Sequence, residues 1–212
     1  MAKKDAQTLL AFAEAPARIQ GLAVPAFFPA SGDVASLIFG EAPGPRGADR
    51  TLIPFWGDGA GLPLYRALSK AGCARIPETA WKPWDGARFV QESLRPEIIR
   101  IGLSNAFPSC PSNDGLKFRA PTRSELSAPD NTLRIETEIH AAMLRGLFRI
   151  ITLGRCARLT LEPLAAERKI TLVPLPHPSA QGLLSEAPNR GKGARLADLQ
   201  AAWEERLASI LR

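Results

Sequence analysis

Two short polar loops, each directly after an apolar run, constrain the fold of this chain more than any other feature. Residues 34–39 are apolar except for Ser36 and lead into Gly40-Glu41-Ala42-Pro43-Gly44, and residues 170–175 lead into Pro176-His177-Pro178-Ser179. Runs that are apolar on both faces are typical of strands buried in a parallel sheet. Because ligands of such sheets bind beyond the carboxyl ends of the strands, we expect a carboxylate and an imidazole at one shared edge.

The rest of the chain alternates between strand and helix patterns. Strands are predicted over residues 34–39, 98–105, 149–154 and 170–175. Helices are predicted over residues 6–20, 61–72, 131–148, 155–167 and 196–211, with Asp130 or Asn131 capping the third. This alternation predicts an α/β fold with three layers, in which helices cover both faces of a central four-stranded parallel sheet. Residues 106–129 have no periodicity, and a connection of that length is usually functional or disordered.

Composition limits the class of protein. A chain of 212 residues with 45% hydrophobic residues and no internal break in composition predicts one domain, residues 1–212. No run approaches the roughly 18 apolar residues of a membrane helix, and the apolar stretch near the start is too short for a signal peptide. We therefore expect a cytoplasmic protein with no membrane partner. Cys73, Cys110 and Cys156 have no Cys-x-x-Cys spacing, which predicts reduced thiols rather than disulfides or a zinc site.

The net charge favours a polyanionic partner. The chain carries a formal charge of +6 with a pI near 9.6, and a basic protein gains free energy from counterion release on nucleic acid. A surface that only keeps the protein soluble is the alternative. The basic residues that cluster in loops are Arg119, Arg123, Arg190, Lys192 and Arg195.

Four loop residues are candidates for a site, and each has a structural alternative. Glu41 lies between glycines and either lines a crevice or faces water in a tight turn. Asn105 ends a strand, where its amide suits a nucleobase edge or closes its own loop. Phe55, in a proline- and glycine-rich loop, is either a stacking surface or a core residue. His177 is clamped between two prolines and suits an acid–base or electrophilic role, whereas His140 lies in the middle of a helix.

These residues belong to four motifs that follow one another along the chain. The motifs are Gly40-Glu41-Ala42-Pro43-Gly44, Pro54-Phe55-x-Gly57-x-Gly59-Ala60-Gly61, Asn105 at a strand end, and His177-Pro178-Ser179. As an ordered set they resemble the uracil-DNA glycosylase superfamily, and the first is close to the Gly-Glu-x-Pro-Gly of its iron–sulfur-containing microbial branch. The resemblance spans Val34 to the C-terminal helix. It implies the three-layer α/β/α fold of that superfamily.

The chain also departs from the family pattern. The iron–sulfur branch has four cysteine ligands, two of them near the N-terminus, whereas here only Cys110 falls where a ligand would match. We therefore expect no cluster, no other metal, no cofactor and a colourless protein. Gly44 stands where the best-known branch has a tyrosine that excludes the thymine methyl group. Ala42 stands where that branch has its water-activating carboxylate.

The resemblance implies roles for the candidate residues. Cleavage of the N-glycosidic bond develops negative charge on uracil O2 and positive charge on the deoxyribose. His177 would donate to O2, and Glu41 would position water or support the sugar cation. Asn105 would read uracil N3–H and O4 and reject cytosine, while Phe55 would stack on the flipped base. Gly40 and Ala42 would complete the base-binding site.

DNA contacts are implied around these residues. The backbone of Gly40 to Gly44 and of Ser179 would bind phosphates or base oxygens. Leu183 and Leu184 would fill the gap left by the flipped nucleotide. The basic residues that would hold the DNA backbone are Arg119, Arg123, Arg190, Lys192 and Arg195.

The implied activity is hydrolysis of uracil from single- or double-stranded DNA by a monomeric base-excision repair enzyme, which releases uracil and leaves an abasic site. Two alternatives stay open. One is a glycosylase for another deaminated base, such as hypoxanthine or xanthine, and the other is a damage- or abasic-site-binding protein with little turnover. An α/β hydrolase is disfavoured because the chain has no Gly-x-Ser-x-Gly elbow.

Overall fold

A four-stranded parallel sheet forms the centre of the fold in the computed structural model, which describes residues 18–212. The strands are β1 (Val34–Gly40), β2 (Ala74–Arg75), β3 (Glu97–Ile98), β4 (Arg100–Asn105), β5 (Arg149–Leu153) and β6 (Thr171–Leu175). The central order is β4-β1-β5-β6, with every neighbouring pair parallel, and β2 and β3 form a separate antiparallel pair. The sheet predicted from the alternating pattern is confirmed.

Helices cover both faces of this sheet. They are α1 (Ala48–Thr51), α2 (Gly61–Lys70), α3 (Gly86–Gln91), α4 (Arg123–Leu126), α5 (Pro129–Met143), α6 (Arg155–Glu167), α7 (Ala180–Glu186) and α8 (Leu196–Leu211). One apolar core joins Ile38 of the sheet to α2 and α8, and a second joins Phe39 on the opposite face to α5 and α6. This arrangement follows from side-chain alternation along β1, and it confirms the three-layer fold. None of the helices within residues 18–212 has the length and apolar character needed to cross a bilayer.

The third predicted helix differs at both ends. It begins at Pro129 after an Ala128 N-cap, because the Asn131 side chain donates instead to the carbonyl oxygens of Leu126 and Ala106. It ends at Met143 rather than at residue 148. Gly146 follows in a left-handed conformation with φ 88°, so the chain turns toward β5.

Two other stretches differ from the sequence-based expectation. Residues 106–129 contain a β-bridge between Ser112 and Phe118, and then α4, whose N-terminus is closed by a capping box of Thr122 and Glu125. This stretch is therefore structured. Of the helix predicted over residues 6–20, residues 6–17 lie outside the described residues, and residues 18–20 have no regular secondary structure.

Candidate active site

The ends of two strands form the centre of the candidate site at the carboxyl edge of the sheet. Gly40 at the end of β1 is in register with Asn105 at the end of β4. The pairing continues past the strands, because the Ala106 amide donates to the Gly40 carbonyl at 2.8 Å and the Phe107 amide donates to the Glu41 carbonyl at 2.9 Å. The two predicted site residues are thus held side by side by the main chain.

Phe55 and Asn105 meet directly above Gly40. A Cβ added at Gly40 would lie 2.5 Å from Phe55 Cζ and 2.6 Å from Asn105 Oδ1, so only glycine leaves room for both side chains. Asn105 is 2% exposed, and neither its Oδ1 nor its Nδ2 has a hydrogen-bond partner within residues 18–212. Buried polar groups are nearly always bonded, which marks this amide as unusual. It offers one acceptor and two donors beside an aromatic ring.

A polar network fixes the backbone that carries this amide. The Arg134 guanidinium on α5 donates to the carbonyl oxygens of Asn105 at 2.9 Å and Ala106 at 3.2 Å. Glu138, one turn further along α5, pairs with Arg134 and accepts a 2.6 Å bond from the Ser104 hydroxyl. The end of β4 is therefore held through its main chain, while the Asn105 side chain stays unbonded.

Phe55 is both a core residue and a surface of the cleft, which were the two alternatives considered for it. It is 5% exposed and packs in the core beside α2, and it also lines an open cleft of about 840 Å³ at the sheet edge. Its backbone is left-handed, with φ 65°, which is unfavourable for a bulky residue and is found chiefly where the surroundings impose it. Gly61 permits this conformation, because a Cβ there would lie 1.8 Å from the Phe55 carbonyl oxygen.

His177 lies across the same cleft and is held from several sides. Trp203 on α8 donates its indole N–H to the Pro176 carbonyl at 2.9 Å, which anchors the histidine loop. Gly154 and Gly182 pack against His177, and a Cβ at Gly182 would lie 2.3 Å from the His177 carbonyl oxygen. The imidazole is therefore positioned by its backbone, as expected from the flanking prolines.

The hydrogen bonding of His177 defines its protonation state. The Ser179 amide donates to His177 Nδ1 at 3.3 Å, so Nδ1 is an acceptor and the ring proton is on Nε2. Burial lowers the pKa of His177 to about 4, which leaves the ring neutral at neutral pH. A neutral imidazole with its N–H on Nε2 can donate a hydrogen bond to an anion that forms in the cleft.

Glu41 supplies the negative charge of the cleft. It is half-buried and lines the cleft together with His177, and burial raises the pKa of its carboxyl group. A carboxylate with reduced hydration stabilises a nearby positive charge more strongly than an exposed one does. The structure thus brings together the four residues singled out from the sequence, which are Glu41, Phe55, Asn105 and His177.

Asp58 organises the glycine loop and was missed from the sequence. Its buried carboxylate accepts bonds from the amides of Gly44 at 3.2 Å, Gly47 at 2.8 Å and Ala48 at 2.9 Å. Burial raises its pKa, and these bonds act in the opposite direction. A Cβ at Gly44 would lie 2.3 Å from Asp58 Oδ1, so a tyrosine does not fit at this position. The only sequence signal was an acidic residue between two glycines of a loop.

The residues expected to contact DNA divide into several groups. Arg123, Arg190 and Lys192 are exposed and form no ion pair with other residues of the range 18–212, whereas Arg119 pairs with Glu125 and Arg195 with Asp198. Arg46 and Arg155, which the sequence did not single out, line the cleft.

Leu183 on α7 and Ser179, which caps this helix, have structural roles that were not expected. Leu183 is 5% exposed and packs in the core beside α8, whereas Leu184 is half-buried against Gly191. That these two residues fill a gap in DNA stays a prediction. Ser179 caps α7, accepting from the Gly182 amide, and its own amide is bonded to His177. Ser179 thus acts on the orientation of the imidazole.

The three cysteines are free thiols, and Cys156 lines a second cavity together with Glu41. Cys73 and Cys110 are buried and Cys156 is half-buried, and burial raises the thiol pKa of Cys110 and of Cys156 to about 12. In the described part of the chain no group of three or more His, Cys, Asp or Glu residues is placed to hold a metal ion. That the protein carries no cluster stays a prediction.

The two shifted pKa values predict the pH dependence of any reaction at this site. An ordinary histidine titrates at about 6.5, but His177 stays neutral down to about 4, so we expect no step in the single-turnover rate near neutral pH. The ionised fraction of Glu41 falls as pH decreases, from a higher pH than for an exposed glutamate. The rate should therefore decline on the acid side, and Glu41→Gln should remove that decline as well as slow the reaction. A step near neutral pH in the wild type that is absent from His177→Gln would contradict this assignment.

Comparison with known proteins gives three similarities. A family model described as the uracil DNA glycosylase superfamily matches residues 27–205. The type-5 uracil-DNA glycosylase of Thermus thermophilus is 33% identical over 121 residues, which cover 57% of this chain and 46% of that relative, less than half its length. The solution NMR structure of a proposed uracil DNA glycosylase from Methanosarcina acetivorans is 17% identical, with a TM-score of 0.45 over 87% of this chain and 98% of that one.

Proposed function

Because this chain belongs to the uracil DNA glycosylase superfamily, we propose that it hydrolyses the N-glycosidic bond of uracil flipped out of DNA and leaves an abasic site. In this proposal the whole chain acts as one monomeric glycosylase domain that needs no metal or cofactor. It binds single- or double-stranded DNA and releases free uracil.

One observation supports uracil above all others, the unbonded amide of Asn105 beside Phe55. Uracil presents N3–H as a donor and O4 as an acceptor on one edge, which complements Oδ1 and Nδ2 of a single amide. In the amide orientation that pairs with uracil, cytosine presents an unprotonated N3 to Oδ1 and an amino group to Nδ2, so both bonds would be lost. Stacking on Phe55 contributes affinity without distinguishing the two bases.

The chemistry follows from a neutral donor, His177, and a carboxylate, Glu41, that line the same cleft. As the glycosidic bond breaks, His177 Nε2–H donates to uracil O2 and stabilises the departing uracil anion. Glu41 lies in the same cleft, where its carboxylate stabilises the sugar cation and orients the water that attacks C1′. With alanine at position 42, Glu41 is the carboxylate of this loop that can take that role.

Hypoxanthine is the second candidate substrate. Its N1–H and O6 present the same donor and acceptor pair to an amide as uracil N3–H and O4. The cleft of about 840 Å³ is open, so its size does not reject a purine. The Asn105 amide therefore distinguishes deaminated bases from cytosine and adenine, whereas the choice among deaminated bases depends on the walls of the cleft.

A panel of oligonucleotides tests the proposal directly. Labelled DNA carries uracil in single strands, uracil opposite guanine or adenine, and hypoxanthine, xanthine or thymine in duplexes. Alkali-labile strand breaks report base removal, and fluorescence anisotropy reports binding. We expect breaks at uracil that depend on His177. Breaks confined to hypoxanthine or xanthine would show that this base, rather than uracil, is the substrate. Tight binding to damaged or abasic DNA without breaks at any base would favour a damage-binding protein.

Salt dependence tests the DNA interface separately. Exposed cations at the cleft edge and after α7 release counterions when they neutralise phosphates, at about 0.9 log units of affinity per log unit of salt for each phosphate. With Arg123, Arg190 and Lys192 as contacts, affinity for uracil-free duplex should fall with a log–log slope of about −3 or steeper. Lys192→Ala should reduce that slope by about one unit.

Lys169→Ala is the matched control for this measurement. It removes the same charge from an exposed residue between α6 and β6, at the amino edge of the sheet. Its salt slope should equal that of the wild type. Equal effects of both substitutions, or a flat salt response of the wild type, would rule out this edge as the DNA-binding surface.

A further inference from the structure

One wall of the cleft comes from the stretch between β4 and α5, which the proposed reaction does not use. Phe118, Arg119 and Ala120 line the cleft together with His177 and residues of α7. Phe118 is 44% exposed and belongs to neither apolar core formed by the described residues. A large aromatic side chain is thus displayed in the cleft that Phe55 also lines.

The segment that carries this ring is held firmly. Phe118 bridges to Ser112, and the Asp114 carboxylate inside the turn accepts from the amides of Lys117 and Leu116, each at 2.8 Å. These bonds lower the pKa of Asp114, with the Lys117 amide as the largest cause. Gly115 provides the left-handed turn residue, with φ 70°.

Arg119, the residue after Phe118, holds the other end of this segment. The Arg119 guanidinium donates to both carboxylate oxygens of Glu125, at 2.7 and 2.6 Å, and to Asn113 at 2.8 Å, and its amide donates to the Pro111 carbonyl at 3.0 Å. Arg119 lowers the pKa of Glu125 to about 2, so this pair stays charged at working pH. The exposed ring is therefore placed by a rigid frame, which reduces the entropy lost when a ligand stacks on it.

We propose that Phe118 is a stacking platform for a nucleobase that remains in the strand, next to the flipped nucleotide. An aromatic face binds any base, in keeping with a site that reads only the flipped base by hydrogen bonds. Leu183 on α7 packs in the core and presents little surface to a DNA strand. Phe118 offers neighbouring bases an exposed aromatic surface. This inference rests on the proposed function, since it assumes a DNA strand in the cleft.

Binding to a stable product analogue tests the platform without turnover. The probe is DNA with a tetrahydrofuran abasic site and 2-aminopurine as the adjacent base. Phe118→Ala should weaken binding about 5- to 100-fold, the range for loss of one base–aromatic stack, and should abolish the change in 2-aminopurine fluorescence on binding. Phe118→Trp should keep both. The single-turnover rate at saturating protein should change less than threefold, because Phe118 does not touch the reacting bond.

Phe148→Ala is the matched control. Phe148 is 55% exposed just before β5, at the opposite edge of the sheet, so its loss removes a similar surface ring without affecting the cleft. If Phe118→Ala binds the probe with the affinity of the wild type, or if Phe118→Leu fully restores that binding, then Phe118 is not a stacking platform. Wild-type protein that binds the probe with the predicted Phe118 dependence but removes no base would instead refute the proposed function, so the two failures are distinct.

Discussion

His177→Ala should lower the single-turnover rate of uracil excision by about 10²- to 10³-fold, the effect of removing one preorganised donor from a developing anion. The Nε2–H bond strengthens as charge builds on uracil O2, so the loss falls on the chemical step. Binding of uracil-containing DNA should change little. Single-turnover kinetics at saturating protein, with anisotropy on the same DNA, measure both quantities.

His140→Ala is the control, since His140 is the other histidine of the chain and is exposed on α5. It should retain the wild-type rate. Gln at position 177 places an amide donor near Nε2 and should recover part of the loss, whereas Ala cannot. If His177→Ala keeps the wild-type rate, then the histidine only shapes its loop and the proposed mechanism is wrong at its centre.

Gly40→Ala should reduce kcat/KM for uracil by about 10²-fold, the scale of a misplacement of about 1 Å at a reacting centre. The added methyl group would lie 2.5 Å from the Phe55 ring and 2.6 Å from Asn105 Oδ1, so one or both must move. The two groups that define the base pocket would then no longer face the same base. Kinetics over a range of concentrations of uracil-containing DNA measure kcat/KM. The melting temperature shows whether the variant is folded.

The DNA surface provides the internal control for this substitution. Affinity for uracil-free duplex should not change, because Arg123, Arg190 and Lys192 lie in other elements. Loss of both affinities together would indicate a general disturbance of the fold. A full rate with a wild-type melting temperature would show that the base does not sit above Gly40.

The sheet and its long helices could be predicted from sequence because their signals are local. The apolar run of β1 and the period of α6 each lie within one short window, and α6 has the predicted bounds, residues 155–167. Helix α7 lacked such a signal, because its seven residues include Gly182 and too few apolar positions for a period. The end of α5 was overestimated because apolar residues continue beyond Gly146 although the helix does not.

The composition of the site could be predicted, but the way it is held could not. Glu41, Asn105 and His177 follow strands, so the parallel topology alone brings them to one edge. The support given by Asp58 and Arg134 depends on contacts between elements distant in sequence. The burial of Leu183 likewise arises from its packing beside α8, which no local pattern encodes.

The unbonded amide of Asn105 has a consequence for how stable the protein can be. A buried donor or acceptor without a partner destabilises the folded state by about 1–3 kcal/mol, so under the proposed function the position that reads the base is also a weak point of the free fold. Replacing it by leucine would relieve that penalty and abolish recognition, a direct conflict between conformational stability and specificity. A bound base removes the conflict, because its edge completes the hydrogen bonds that the chain itself leaves open. Under the proposed function, a base bound at Asn105 would therefore stabilise the fold.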